Sequence, residues 1–439
     1  MERKSNIEKY KVPIEKLRWK CPPEWFNFDC TIDIEPLKEF IGQDRALDAL
    51  NFGLEVESSG YNLFLTGLTG TGKTSTMKAC LERFIAEKQA EGVKYEPSDL
   101  CYVYNFSDPD RPKFLKLPQG YGKSFVYHME SLLKTLKEEI PKLFNSEEYK
   151  KQKQEVIEQH QREYQSALNT LEKEARSQNL MIQISSMGAN VLPMIEGQPM
   201  SREAFLELPE HERETIEAKR VEMLMKMDET ATRFRDFDKK TEEKMLEINR
   251  KAGDYALSGH FKKLFETYRE YPDVVSFLEE IKEYSLSKLD LFTQAAQAPQ
   301  TPELLGIPLP PQVDPFLAYR VNLIVDNSTT NGPPIVVESN PNWFNLFGKI
   351  ERKAFIGTYV SDHTMVKPGS VQKANGGYLI LNIRDVLMNP GVWEGLKRVI
   401  RTKEVGVEEP WEQYGFFSPQ GMRPQPIPVD IKIVMIGED

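Results

Sequence analysis

A chain of 439 residues exceeds what one hydrophobic core ordinarily organises, so two or three structural units are expected, at least one with a sizeable core. Its net charge of -10 weighs against a protein that coats nucleic acid or an anionic membrane. The four cysteines, Cys21, Cys30, Cys80 and Cys101, form no CxxC pair and have no histidine at metal-ligand spacing, which argues against a zinc site and for reduced thiols.

The opening residues, MERKSNIEKYKVPIEKLRWK, are charged throughout, and no apolar run is long enough to span a bilayer. A soluble, cytoplasmic protein without a membrane partner is expected. FIGQDRALDAL, residues 40–50, places a Gly-Gln turn ahead of a helix. Ile41, Gly42 and Gln43 there can contact a nucleotide base, or simply start a helix. Residues 61–88 read as an apolar strand, NLFLT, then a glycine-rich turn, then a helix, the strand-loop-helix unit of an α/β domain. LCYVYNF, residues 100–106, is a second strand, closed by the turn SDPDRP.

Beyond about Tyr127 the composition shifts to Lys, Glu and Gln, and apolar residues recur at heptad-like steps: Ile157, Tyr164, Leu168, Leu171, Ala175. The rhythm returns at Leu224, Met227, Ala231 and Phe234, then at Met245, Ile248 and Ala252. Between the two helices, residues 180–200 are rich in Ile, Val and Met and punctuated by Gly188, Pro193, Gly197 and Pro199, which predicts a small hairpin at the tip of a helical arm. Helices continue to about Leu291, and residues 294–312 form a Pro-rich connector. Strand character resumes at 319–327, 376–382 and 429–437. The expected architecture is an α/β parallel-sheet domain, begun in residues 1–127 and completed in 313–439, interrupted by a helical arm over 128–312.

GLTGTGKT, comprising Gly67, Leu68, Thr69, Gly70, Thr71, Gly72, Lys73 and Thr74, matches G-x-x-x-x-G-K-[ST] between a strand and a helix, as a P-loop requires. Its glycines let backbone N–H groups turn toward phosphates, Lys73 reaches the β- and γ-phosphates, and the Thr74 hydroxyl ligates Mg²⁺. ATP or GTP binding follows. The strand GGYLILN ends where a Walker B acid and a catalytic Glu are expected, but those positions hold Asn382 and Ile383. Asn382 offers a carbonyl oxygen to a metal's water shell without the charge, and Ile383 has no base to offer. Asp385 is the nearby acid, serving either as a substitute or as a cap for the helix that follows. Arg398 and Arg401 suit either a trans-acting arginine or a solvated helix end. Met181, Met187, Met194 and Met200 suit either a polypeptide-gripping surface or the hairpin's own packing. No Ser-Lys or Ser-His-Asp arrangement is evident.

The segments FIGQDRALDALNFGLEVESSGYNLFLTGLTGTGKT, YVYNFSDPDRPKFLKLPQGYG, the run from YRVNLIVDN to KANGGYLILN, and WEGLKRVIRTKEVGVEEP together resemble the Lon-related ATP-dependent protease family, which includes LonB-like and LonC-like enzymes. The resemblance covers essentially the whole chain. It implies a P-loop AAA+ domain binding ATP and Mg²⁺, assembled as a homohexameric ring. It also implies a helical gate that passes unfolded protein to a C-terminal Ser-Lys protease domain. That domain and the AAA+ lid lie beyond these residues, so a truncated chain is expected. The family pattern has Asp where this chain has Asn382, so a hydrolysis-deficient gate stays open as an alternative. GSVQKANGGYLILN also resembles AAA+ enhancer-binding activators, which keeps a DNA-remodelling role as a further alternative that the acidic charge disfavours.

Overall fold

A computed structural model describes residues 10–35, 42–58, 60–185, 188–195, 197–295, 314–355, 358–408 and 421–438. Helix α1 (Asp44–Glu55) leads to strand β1 (Leu63–Leu65), and helix α2 (Lys73–Ala90) follows the glycine-rich turn. Strands β2 (Asp99–Val103) and β3 (Lys113–Leu117) precede helices α3 (Tyr121–Phe144) and α4 (Glu147–Ser177). Strands β4 (Leu180–Ser185) and β5 (Gly188–Ile195) form a hairpin, and helices α5 (Glu210–Thr267), α6 (Pro272–Ser287) and α7 (Leu289–Ala295) return from it. Strands β6 (Asn322–Val325), β7 (Ile335–Glu338) and β8 (Gly377–Asn382) follow, then helices α8 (Ile383–Met388) and α9 (Val392–Thr402) and strand β9 (Ile431–Ile436).

One parallel sheet has the order β1-β9-β8-β7. Parallel neighbours need long crossovers, and here the crossover from β1 to its partner includes the whole helical insertion. Side chains alternate across a strand, so both faces of this sheet are filled. Ile380, Val434 and Ile436 pack on Leu50, Leu54, Met77 and Leu81 of α1 and α2. Leu379, Leu381, Ile433 and Met435 face the opposite way, in one cluster with Trp343, Val392 and Leu396. The protein is thus a mixed α/β molecule with a parallel four-stranded sheet and a helical insertion.

Two expected members of that sheet lie elsewhere. β2 and β6 pair antiparallel in a separate sheet of order β3-β2-β6, and β7, a short run behind Pro333 and Pro334, takes the edge of the parallel sheet. The reason is burial on both faces. Every residue of β2 is buried, and a doubly buried strand reads as the continuous apolar run typical of parallel sheets. Leu100 and Tyr102 join the core of the parallel-sheet unit, while Cys101 and Val103 join Phe125, Met129, Phe261 and Phe277 at the root of the insertion.

In the arm, α4 packs along α5, with Tyr164 stacked on Phe234 at 4.0 Å between ring centroids. The hairpin packs through Leu180 and Val191 onto Leu171, Ala175 and Met223. Of the residues expected on the seam, Met227 and Phe234 are half-buried there, while Leu224 and Ala231 are exposed and their places are taken by the buried Met223 and Thr230. A straight helix drifts against a strict seven-residue repeat, so a face read from heptads shifts along a helix of 58 residues. Residues 296–312 of the Pro-rich connector lie outside the described residues.

The insertion is tied down at its root. Asp99, fully buried, accepts from the N–H of Gly122 at 2.8 Å and of Asn327 at 2.7 Å, one just inside α3 and one just after β6. Gly122 allows this approach, since a Cβ there would sit 2.6 Å from Leu323 Cδ1 and 2.9 Å from the Asp99 side chain.

Candidate nucleotide site

β1 ends at Leu65, and the chain turns through Gly67, Gly70 and Gly72 before α2 begins at Lys73. Gly70 and Gly72 have φ of 80° and 77°, a left-handed region open chiefly to glycine. Gly72 is the N-cap of α2 and supplies no side-chain bond, so the first N–H groups of an 18-residue helix face the turn. Lys73 Nζ donates to the carbonyls of Gly67 (2.7 Å) and Leu68 (2.8 Å), which holds the ammonium over the loop. Thr71 Oγ1 donates to the Leu68 carbonyl at 2.8 Å, tightening the same curl.

A cleft of about 290 Å³ opens here, lined by residues 69–75, by Asn382 from the end of β8, and by Ile436, Gly437 and Glu438 from the end of β9. Strand pairing makes it: β9 lies between β1 and β8, Leu65 is in register with Ile436, and the Gly437 N–H donates to the Leu65 carbonyl at 2.8 Å. Thr69 Oγ1 donates to Glu438 Oε1 at 2.5 Å across the cleft. Helix N–H groups, positive-φ glycines and Lys73 fit a chain of phosphates. Thr74, Asn382 and Glu438 bring oxygen donors of the kind that suit a hard cation such as Mg²⁺.

The other residues singled out in the sequence are placed as follows. Asn382 is the N-cap of α8, its Oδ1 accepting from the Arg384 N–H at 2.9 Å. The capping role read for Asp385 therefore belongs to Asn382, because the cap precedes the first helical residue, Ile383. Asp385 sits in the first turn of α8 and is not among the residues lining the cleft. Gly42 and Gln43 make a left-handed entry to α1, with φ of 77° and 65°, and do not line the cleft; Ile41 lies outside the described residues. Arg398 pairs with Glu408 at 3.2 Å, and Arg401 is exposed on the last turn of α9. Met181, Met194 and Met200 are half-buried about the hairpin, and Met187 lies outside the described residues. Sequence reasoning missed Glu438, whose one signal is its place just past the apolar run IKIVMI.

Residues 331–439 match the family described as LonB-like, AAA domain, and residues 99–132 match Lon-like LonC helical domain. The matches support a Lon-related family. The first covers β7, β8, α8, α9 and β9, the part of the parallel sheet made after the insertion; the second covers β2, β3 and the first half of α3. An Escherichia coli (strain K12) protein described as "Putative Lon protease homolog" is 29% identical over 73 residues, which is 17% of this chain and 12% of that relative. A Lon-like AAA domain points to nucleotide binding and to an ATPase linked to a protease. Among the described residues no helix is long and apolar enough to cross a membrane.

Proposed function

We propose that this chain is the ATP-binding motor and substrate-gating portion of a Lon-like ATP-dependent serine protease acting on unfolded proteins. The observation that carries the reading is the P-loop between β1 and α2, where helix N–H groups, Lys73 and Thr74 converge on one cleft. In this reading Lys73 exchanges its two carbonyl partners for β- and γ-phosphate oxygens, and Thr74 turns its hydroxyl to Mg²⁺. Bound ATP supplies the phosphoanhydride whose hydrolysis drives the motor. Residues 1–127 and 313–439 form the motor and 128–312 the arm. Exposed Ile195 and the half-buried methionines about the hairpin give the arm an adaptable apolar tip for unfolded segments. The working assembly is a homohexameric ring in the cytoplasm.

Phosphate release with MgATP, measured with and without an unfolded protein such as casein, tests the reading. The parent is expected to turn over, faster with casein, and Lys73→Ala to lose nucleotide binding; absence of nucleotide binding by the assembled parent overturns it. A second reading, a nucleotide-ordered gate without hydrolysis, is favoured by the use of the Asn382 oxygen as a helix cap and by Ile383 beside it. Under that reading Asn382→Asp leaves phosphate release unchanged, whereas the motor reading expects a gain.

A further inference from the structure

The cleft has a carboxylate, and it does not come from the strand where one is expected. β8 ends in Asn382, whose Oδ1 is engaged by the Arg384 N–H, and Asp385 is not among the residues that line the cleft. β9 is the strand hydrogen-bonded directly to β1, so its C-terminal end lies one strand nearer to the P-loop than that of β8. The residue it delivers is Glu438, the one acidic side chain among the described residues that line the cleft. Its Oε1 is held at 2.5 Å by the hydroxyl of Thr69, a residue of the P-loop itself.

We propose that Glu438 is the carboxylate that holds the metal side of MgATP in this chain, taking the place left by Asn382. The inference rests on the P-loop reading above. A carboxylate facing a triphosphate repels it unless a cation lies between them. Glu438 therefore makes nucleotide affinity depend on Mg²⁺: without the cation it opposes binding, and with it the same charge exchanges Thr69 for a water of the cation's shell or for the cation itself. Asn382, being neutral, has no such effect.

Glu438→Gln separates charge from shape, because Gln retains an oxygen to accept from Thr69. The experiment is ATP affinity by calorimetry on the full chain, in excess Mg²⁺ and in EDTA, for the parent, Glu438→Gln and Lys73→Ala, with melting curves to compare folding. The parent is expected to bind at least about tenfold more tightly with Mg²⁺ than in EDTA. Glu438→Gln is expected to shrink that ratio to about twofold, chiefly by binding metal-free ATP more tightly than the parent does. An unchanged ratio in Glu438→Gln, with binding abolished in Lys73→Ala, overturns the Glu438 assignment and leaves the P-loop reading standing. No binding by the parent in either condition overturns the P-loop reading and this inference with it.

Discussion

His363 shows what one buried side chain does to the pH dependence of this fold. It is 2% exposed; its Nε2 donates to the Arg320 carbonyl at 2.7 Å, and its buried Nδ1 has no hydrogen-bond partner among the described residues. Burial, which disfavours the imidazolium, holds its pKa below the ordinary 6.5. The unfolded chain therefore takes up a proton at a pH where the folded chain does not, so the stability is full above the ordinary value and falls as pH drops toward the folded one. Thermal melts from about pH 7 to about pH 5 are expected to show a steeper loss of Tm in the parent than in His363→Gln, whose amide still donates to Arg320. At this scale the sequence is legible where chemistry demands fixed spacing. Gly67 to Thr74 declare themselves because phosphate binding needs those residue types in that order. Glu438 does not, because it meets Thr69 across 369 positions of chain, and only the pairing of β9 with β1 brings them together.

Among the elements, the junction of β2, α3 and β6 is held by one carboxylate. Asp99→Ala leaves the Gly122 and Asn327 N–H groups buried and unpaired, and is expected to cost about 2–6 kcal/mol in urea unfolding, since each of the two orphaned donors costs about 1–3 kcal/mol. A loss below about 0.5 kcal/mol would show that water reaches both donors. Here local pattern and tertiary context part company. The strand character of 100–103 was legible, but its sheet was not, since burial by two different cores erases the alternation that marks an antiparallel strand. The arm's helices were legible from their charge and heptads; the seam at Met223 rather than Leu224 was not, because the phase of a long helix is set by its partner.

For the molecule as a whole, the three-stranded sheet β3-β2-β6 is a wall shared by two hydrophobic cores. The parallel sheet that carries the glycine-rich turn packs on one side of it and the root of the arm on the other. Removing the hairpin, residues 180–195, is accordingly expected to leave ATP affinity within about twofold of the parent while abolishing stimulation of phosphate release by casein. A large loss of ATP affinity in that variant would mean that the tip contributes to the site directly.

The arm also has a geometry that matters once its root moves. Met223 packs against the hairpin and Phe261 sits in the root core, both on the uninterrupted α5. At 1.5 Å per residue they are about 57 Å apart, so a tilt of about 5° at the root swings the tip through about 5 Å. On one continuous helix of that length, a root shift of under about 1 Å across the width of a helix corresponds to a tip displacement as wide as an extended polypeptide.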